Sequence, residues 1–220
     1  MIARMKKTEQ AAYLVLENGK VFQGKRFGAA GDVTGEIVFT TAMTGYLETL
    51  TDPSYYGQIV VQTFPLIGNY GVIPSDFESA APALKAYIVR EWCQEPSNFR
   101  SEGALGAFLE SAGVVGLYGI DTRALTRIIR EYGVMNARIA SSKEEAVACA
   151  SALGEYKVEN AVRAVTCPRP VPPAGEGLRR VVLWDFGAKA NIRRELEKRR
   201  CAVTTLPPGT TAEEVPGKGP

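Results

Sequence analysis

The chain has 220 residues, 45% hydrophobic and 23% charged, with 26 Lys and Arg against 24 Asp and Glu for a net charge of +2. This is ordinary globular composition with room for a sizeable core, and the charge is too even to argue for nucleic acid or an anionic membrane as a partner. There is no histidine, so neither a Ser-His-Asp nor a Cys-His pair can form from these residues, nor can an imidazole metal site.

The first ten residues, MIARMKKTEQ, carry lysines with no apolar segment behind them, so no secretory signal is read there. No apolar run approaches the ~18 residues that span a bilayer. AYLVLENGKVFQG then places two apolar runs around Asn18-Gly19. That pattern predicts a β-hairpin closed by a type I′ turn. GEIVFTT and QIVVQTF read as strands joined by the loop AMTGYLETLTDPSYYG, and KAYIVREW as a further, largely buried strand.

Leu105, Phe108, Leu109 and Ala112 form one apolar helical stripe, with Ser101 as its candidate cap and Gly113 as its stop. VVGLYGI is a short strand. IDTRALTRIIREYG repeats the helical pattern with Leu125, Ile128, Ile129 and Tyr132, capped by Asp121 and ended by Gly133. MNARIA is a strand. Ser142 and Glu145 fit a capping box for a helix running to near Gly154.

CPRPVPPAGEG holds four prolines. Proline removes donors and fixes φ, so this stretch reads as an interdomain linker. RRVVLWDFGAKANIRRELEKRRCAVTTLP then reads as strand, glycine turn, helix and strand, the opening βαβ unit of a parallel α/β domain. The residues after it are too few for a closed doubly wound domain, so the second domain reads as truncated.

Among motifs, Asp52-Pro53-Ser54 is a turn in which Asp caps and Pro presets φ. Its serine either offers hydroxyl and backbone N–H to a ligand or belongs to a turn that only holds two strands in register. Asp185-Phe186-Gly187 spells the magnesium-binding triplet of protein kinases. Without histidine the catalytic HRD is impossible, so the glycine reads as a tight strand-to-helix turn, with anion binding at the following helix N-terminus as the functional alternative. No dinucleotide, P-loop or nucleophile-elbow motif occurs. Cys93, Cys149, Cys167 and Cys201 form no CxxC pair, which argues for reduced, structural thiols in a cytosolic chain.

Three long blocks carry a family likeness: VFTTAMTGYLETLTDPSYYGQIVVQTFPLIGNYG, GLYGIDTRALTRIIREYG and VVLWDFGAKANIRREL. Together they resemble the small, glutamine-hydrolysing subunit of carbamoyl-phosphate synthase, in order and over nearly the whole chain. The resemblance implies an α/β protein with a β/β/α N-terminal domain over residues 11–166, a Pro-rich linker at 167–179, and the start of a Rossmann-like class I glutamine amidotransferase domain at 180–220. It implies that Ser54 contacts bound L-glutamine, and that the Cys-His-Glu triad lies beyond Pro220, leaving these residues inactive alone. Ammonia would pass to a large subunit, the expected partner, which would hold ATP and magnesium. No cofactor is expected in this chain, and neither nucleic acid nor membrane is an expected partner. The setting is cytoplasmic arginine and pyrimidine biosynthesis. The rival reading is a noncatalytic module that docks on a large synthetase subunit.

Overall fold

Residues 10–215 are described in the computed structural model. The reading of the N-terminal segment as free of a secretory signal rests on residues that lie almost wholly outside them. Strands β1 (Ala11–Leu16), β2 (Val21–Gly28) and β3 (Val33–Thr40) lead into helix α1 (Tyr46–Thr51). β4 (Gln58–Gln62), β5 (Leu66–Ile67), β6 (Ala86–Ile88) and β7 (Glu91–Trp92) follow. Next come α2 (Leu105–Ser111), β8 (Val115–Tyr118), α3 (Thr122–Tyr132), β9 (Met135–Ala140), α4 (Lys143–Cys149) and α5 (Ala161–Val165). β10 (Arg179–Trp184), α6 (Ala190–Lys198) and β11 (Cys201–Leu206) complete the order.

The chain is mixed α/β. Seven strands close into a barrel in the order β1-β2-β8-β6-β4-β3-β9, with β9 returning to β1. The β3–β4, β4–β6 and β6–β8 pairs are parallel, and the other four are antiparallel. Closure removes every sheet edge from the barrel. It was not legible in the strand pattern.

Side chains alternate across each strand. Leu14, Leu16, Ile37, Ile59, Val61, Ile88, Leu117 and Ile139 turn inward, joined by Leu125 and Ile129 of α3. Val60 and Tyr87 turn outward but are equally buried, because α1 and α2 cover that side with Leu47, Leu50, Leu105 and Leu109. A strand buried on both faces reads as an unbroken apolar run, as IVV and YIV do. On another flank, Ala146 of α4 and Leu153 cover Val15 and Ala140.

Local readings hold with five corrections. KAYIVREW is not one strand but two, β6 in the barrel and β7 paired with β5 outside it. The helix capped by Ser142 ends at Cys149, and a 3₁₀ stretch, not α-helix, carries the chain on past Gly154. The β1–β2 hairpin forms, but only Gly19 of its turn has positive φ, at 80°. Gly19 N–H bonds Leu16 O at 2.8 Å. The turn is therefore not type I′ but a three-residue connection with a left-handed glycine, the other common way to match strand twist. Ser101 does not cap α2. The N-cap is Ala104, without a side-chain bond, and the Ser101 hydroxyl donates to Gly103 O instead. Within the loop between β3 and β4, residues 46–51 wind into α1. Asp121 and Ser142 cap α3 and α4 as expected.

β10 and β11 pair in parallel across α6, which is the predicted βαβ unit. The proline-rich segment is not a free tether. Val171 pairs with Thr205 of β11, and Leu178 N–H bonds Arg200 O at 2.8 Å. Asp185 ties the unit together: one carboxylate oxygen accepts from Gly187 and Ala188 N–H, and the other from Cys167 N–H at 2.7 Å. Burial opposes ionisation of Asp185, but the N–H groups of Ala188, Cys167 and Gly187 outweigh it and hold the carboxyl below its ordinary value.

Two outcomes follow for stability. Leu14→Ala opens a cavity in the barrel interior, where Leu14 is fully buried. It is expected to cost about 2–5 kcal/mol, read as a lower urea midpoint at unchanged slope. A depressed carboxyl stabilises the fold above its unfolded value of about 3.9, and that contribution disappears as pH falls through the lower folded value. Asp185→Asn is therefore expected to lower stability at neutral pH and to flatten the acid limb of the stability profile below about pH 4, measured by urea unfolding across pH.

Candidate functional site

The loop between β3 and β4 is tied down along its length. Tyr46 stacks on Tyr70 with ring centroids 4.0 Å apart. The Tyr46 hydroxyl donates to Gly71 O at 2.6 Å, and Tyr46 N–H donates to the Tyr70 hydroxyl at 2.9 Å. The Thr51 hydroxyl donates to Leu47 O and accepts from Glu78 N–H. At the loop's start, the Gln62 side-chain amide donates to Ala42 O, and buried Tyr87 donates to the Gln62 carbonyl. Burial raises the phenol pKa of Tyr46, Tyr55, Tyr70 and Tyr87, so these hydroxyls are neutral donors and not bases.

Asp52 is the pivot of this region. Its Oδ1 accepts from Ser54 N–H at 2.9 Å and caps the single 3₁₀ turn Pro53–Tyr55. Its Oδ2 pairs with Lys189 Nζ at 2.7 Å. The hydrogen bond to Asp52 raises the Lys189 pKa against the opposing effect of burial, with Asp52 and Glu78 charges adding to it. Ser54 is exposed at the tip of the turn. The sequence left both its hydroxyl and its N–H open to a ligand. In the fold the N–H is consumed by Asp52, and only the hydroxyl is available.

Lys189 belongs to the segment leading into α6, so the turn faces the βαβ unit. Gly187 has φ +99°, and a Cβ there would lie 3.0 Å from Val165 and 3.7 Å from Pro53. The strand-to-helix turn thus packs directly on the Ser54 turn. The first helical N–H groups of α6 are also engaged: Ala190 donates to Glu78 O and Asn191 to Glu78 Oε2, at 2.8 and 2.9 Å. The anion expected at this helix N-terminus is therefore a carboxylate of the chain itself. Arg194 completes the seam by donating to Ser75 O and Phe77 O, both at 2.9 Å.

The exposed Ser54 hydroxyl can donate to or accept from a polar ligand, next to an Asp52–Lys189 pair already matched to each other. It does not supply a nucleophile. Cys167 lies at a groove of about 740 Å³ lined also by Asn160, Arg163, Thr166 and the 207–209 turn. Burial raises its thiol pKa, and the Asp185 charge adds to that, which is the opposite of activation. Among the described residues, no group of three or more His, Cys, Asp or Glu is placed to hold a metal ion. No described helix is long and apolar enough to cross a membrane. Sequence reasoning named Ser54 and gave no signal for Lys189, Glu78 or Arg194. Each is a common surface type with no spacing signal, and only tertiary structure brings it to the turn.

The sequence matches the family described as carbamoyl-phosphate synthase small chain, CPSase domain, over residues 14–139. The carbamoyl phosphate synthase small chain of Bacillus caldolyticus is 49% identical over 208 residues, covering 94% of this chain and 57% of its own length. The pyrimidine-specific small chain of Bacillus subtilis (strain 168) is 50% identical over 203 residues, covering 92% of this chain and 56% of its own. The chain spans little more than half the length of these curated relatives. Among solved structures, an aminopeptidase from Aneurinibacillus sp. strain AM-1 overlaps 92% of this chain and 49% of its own, with 14% identity and a TM-score of 0.37. That likeness is too weak to bear on the fold. On the family match and on near-half identity to relatives across more than nine-tenths of its residues, the chain belongs to the carbamoyl-phosphate synthase small chain family.

Proposed function

We propose that this chain supplies one wall of a glutamine site in a glutamine-dependent carbamoyl-phosphate synthase, with Ser54 as its contact to L-glutamine. The βαβ unit of β10, α6 and β11 belongs to the start of the class I amidotransferase domain, which begins at residue 180. Residues beyond Pro220 contribute the Cys-His-Glu triad that releases ammonia, which passes to a large subunit holding ATP and magnesium. The setting is the cytoplasmic supply of carbamoyl phosphate for arginine and pyrimidines.

One observation carries this reading: Asp52 holds the Ser54 turn and, through Lys189, the βαβ unit packed against it. A ligand between two such units takes donors from both, and pockets favour such junctions. Ser54 contributes a hydroxyl whose backbone is already fixed, so little ordering cost remains on binding. The absence of histidine and the raised Cys167 thiol agree with a chain that binds but does not cleave. The same two features favour a second reading, a noncatalytic module docked on a large synthetase subunit.

In the full-length subunit, Ser54→Phe is expected to lower kcat/KM for glutamine by about tenfold or more, the scale of one lost ligand hydrogen bond of roughly 1.5 kcal/mol. Synthesis driven by added ammonia should be spared. Equal loss of both activities would make Ser54 a fold residue only. The 220-residue chain alone is expected to release no ammonium from glutamine above the uncatalysed rate; catalytic turnover by it would end the proposal.

A further inference from the structure

Helix α3 carries a feature that the glutamine site does not use. A turn of 100° per residue puts Arg123, Thr126, Arg127 and Arg130 within an arc of about 100° on the side away from the buried stripe. These four residues, with Thr41 after β3 and Thr63 after β4, line a groove of about 490 Å³. Elsewhere, Arg26, Arg100, Arg138, Arg193, Arg194 and Arg199 each have a carboxylate partner. Among the described residues, none of the three groove arginines has one. Glu131, the only acid in α3, is not paired with them either. Like charges at i and i+4 destabilise a helix, so the stripe is a standing cost in the isolated chain. The Thr126 hydroxyl is buried and lacks a hydrogen-bond partner, a second unmet polar demand in the same groove.

A lining of arginine and threonine without lysine or acid fits a protein interface, where arginine is enriched and lysine and acids are depleted. A single phosphate does not use three guanidiniums whose Cα atoms span about 10 Å of helix. An acidic protein segment uses all three, because carboxylates spaced along it meet successive arginines bidentately.

We propose that this groove docks an acidic segment of the large synthetase subunit, with Arg123, Arg127 and Arg130 as its charge partners. This rests on the two-subunit reading above and places its contact surface.

The test measures binding of the full chain to the purified large subunit across a salt series. Wild type is expected to bind, more weakly as salt rises. The double variant R127E/R130E is expected to bind at least about tenfold more weakly and with a flatter salt dependence, while R127K/R130K, which keeps the charge but not the bidentate geometry, loses less and keeps the salt slope. Thr63→Asp, which places a carboxylate in the groove without touching α3, is expected to reproduce the loss, so misfolding of the helix variant does not decide the matter. Wild-type binding with unchanged affinity and salt slope in R127E/R130E and Thr63→Asp overturns the groove assignment but leaves the two-subunit reading standing. No binding by wild type overturns both. Inorganic phosphate is titrated in parallel; saturable binding that R127E/R130E abolishes, with large-subunit affinity unchanged, makes the groove a small-anion site and overturns the docking proposal.

Discussion

The Asp52 carboxylate is the constraint on which the candidate site depends. It is mostly buried, yet it serves two partners at once: the Ser54 N–H behind it and the Lys189 ammonium across the seam. Lys189 is half exposed, so the ion pair contributes little stability on its own. Its value is positional. Removing the carboxylate would free the N–H that fixes the turn and leave the ammonium without its nearest counter-charge. Asp52 therefore couples the place of the Ser54 hydroxyl to the place of the βαβ unit.

The barrel makes that coupling precise in space. The loop departs from β3 and returns to β4, which are parallel neighbours in the barrel wall. Parallel neighbours need a long crossover, and this one is filled by α1 and the Asp52-capped turn. Tyr46, Tyr70, Tyr87, Thr51 and Gln62 fasten the crossover with hydroxyl and amide hydrogen bonds, which are directional and short-ranged. Apolar packing of Leu47 and Leu50 alone would leave its register looser.

Charge is managed differently on two parts of the surface. At the seam, Glu78 meets the α6 N-terminus and Arg194, and Asp52 meets Lys189, so opposite charges are matched within the chain. On α3, arginines face a groove with no acid in its lining. The first arrangement stabilises the chain by itself. The second leaves its guanidiniums to solvent, open to the acidic partner proposed for them.

Much of the local structure was readable directly. Alternating apolar residues marked the strands, Asp121 and Ser142 marked helix starts, and Asp52-Pro53 marked a capped turn, because each depends on residues within a few positions of one another. The amino-acid sequence also determined that no histidine chemistry operates within these residues, and its three long blocks pointed to the family. What only the tertiary structure decided was the closure of seven strands, the filling of the α6 N-terminus by Glu78, the meeting of Asp52 with Lys189, and the gathering of Thr41 and Thr63 onto the arginine face of α3. All four join residues distant along the chain. No local propensity encodes such pairings; they follow from burying both faces of the strands at once.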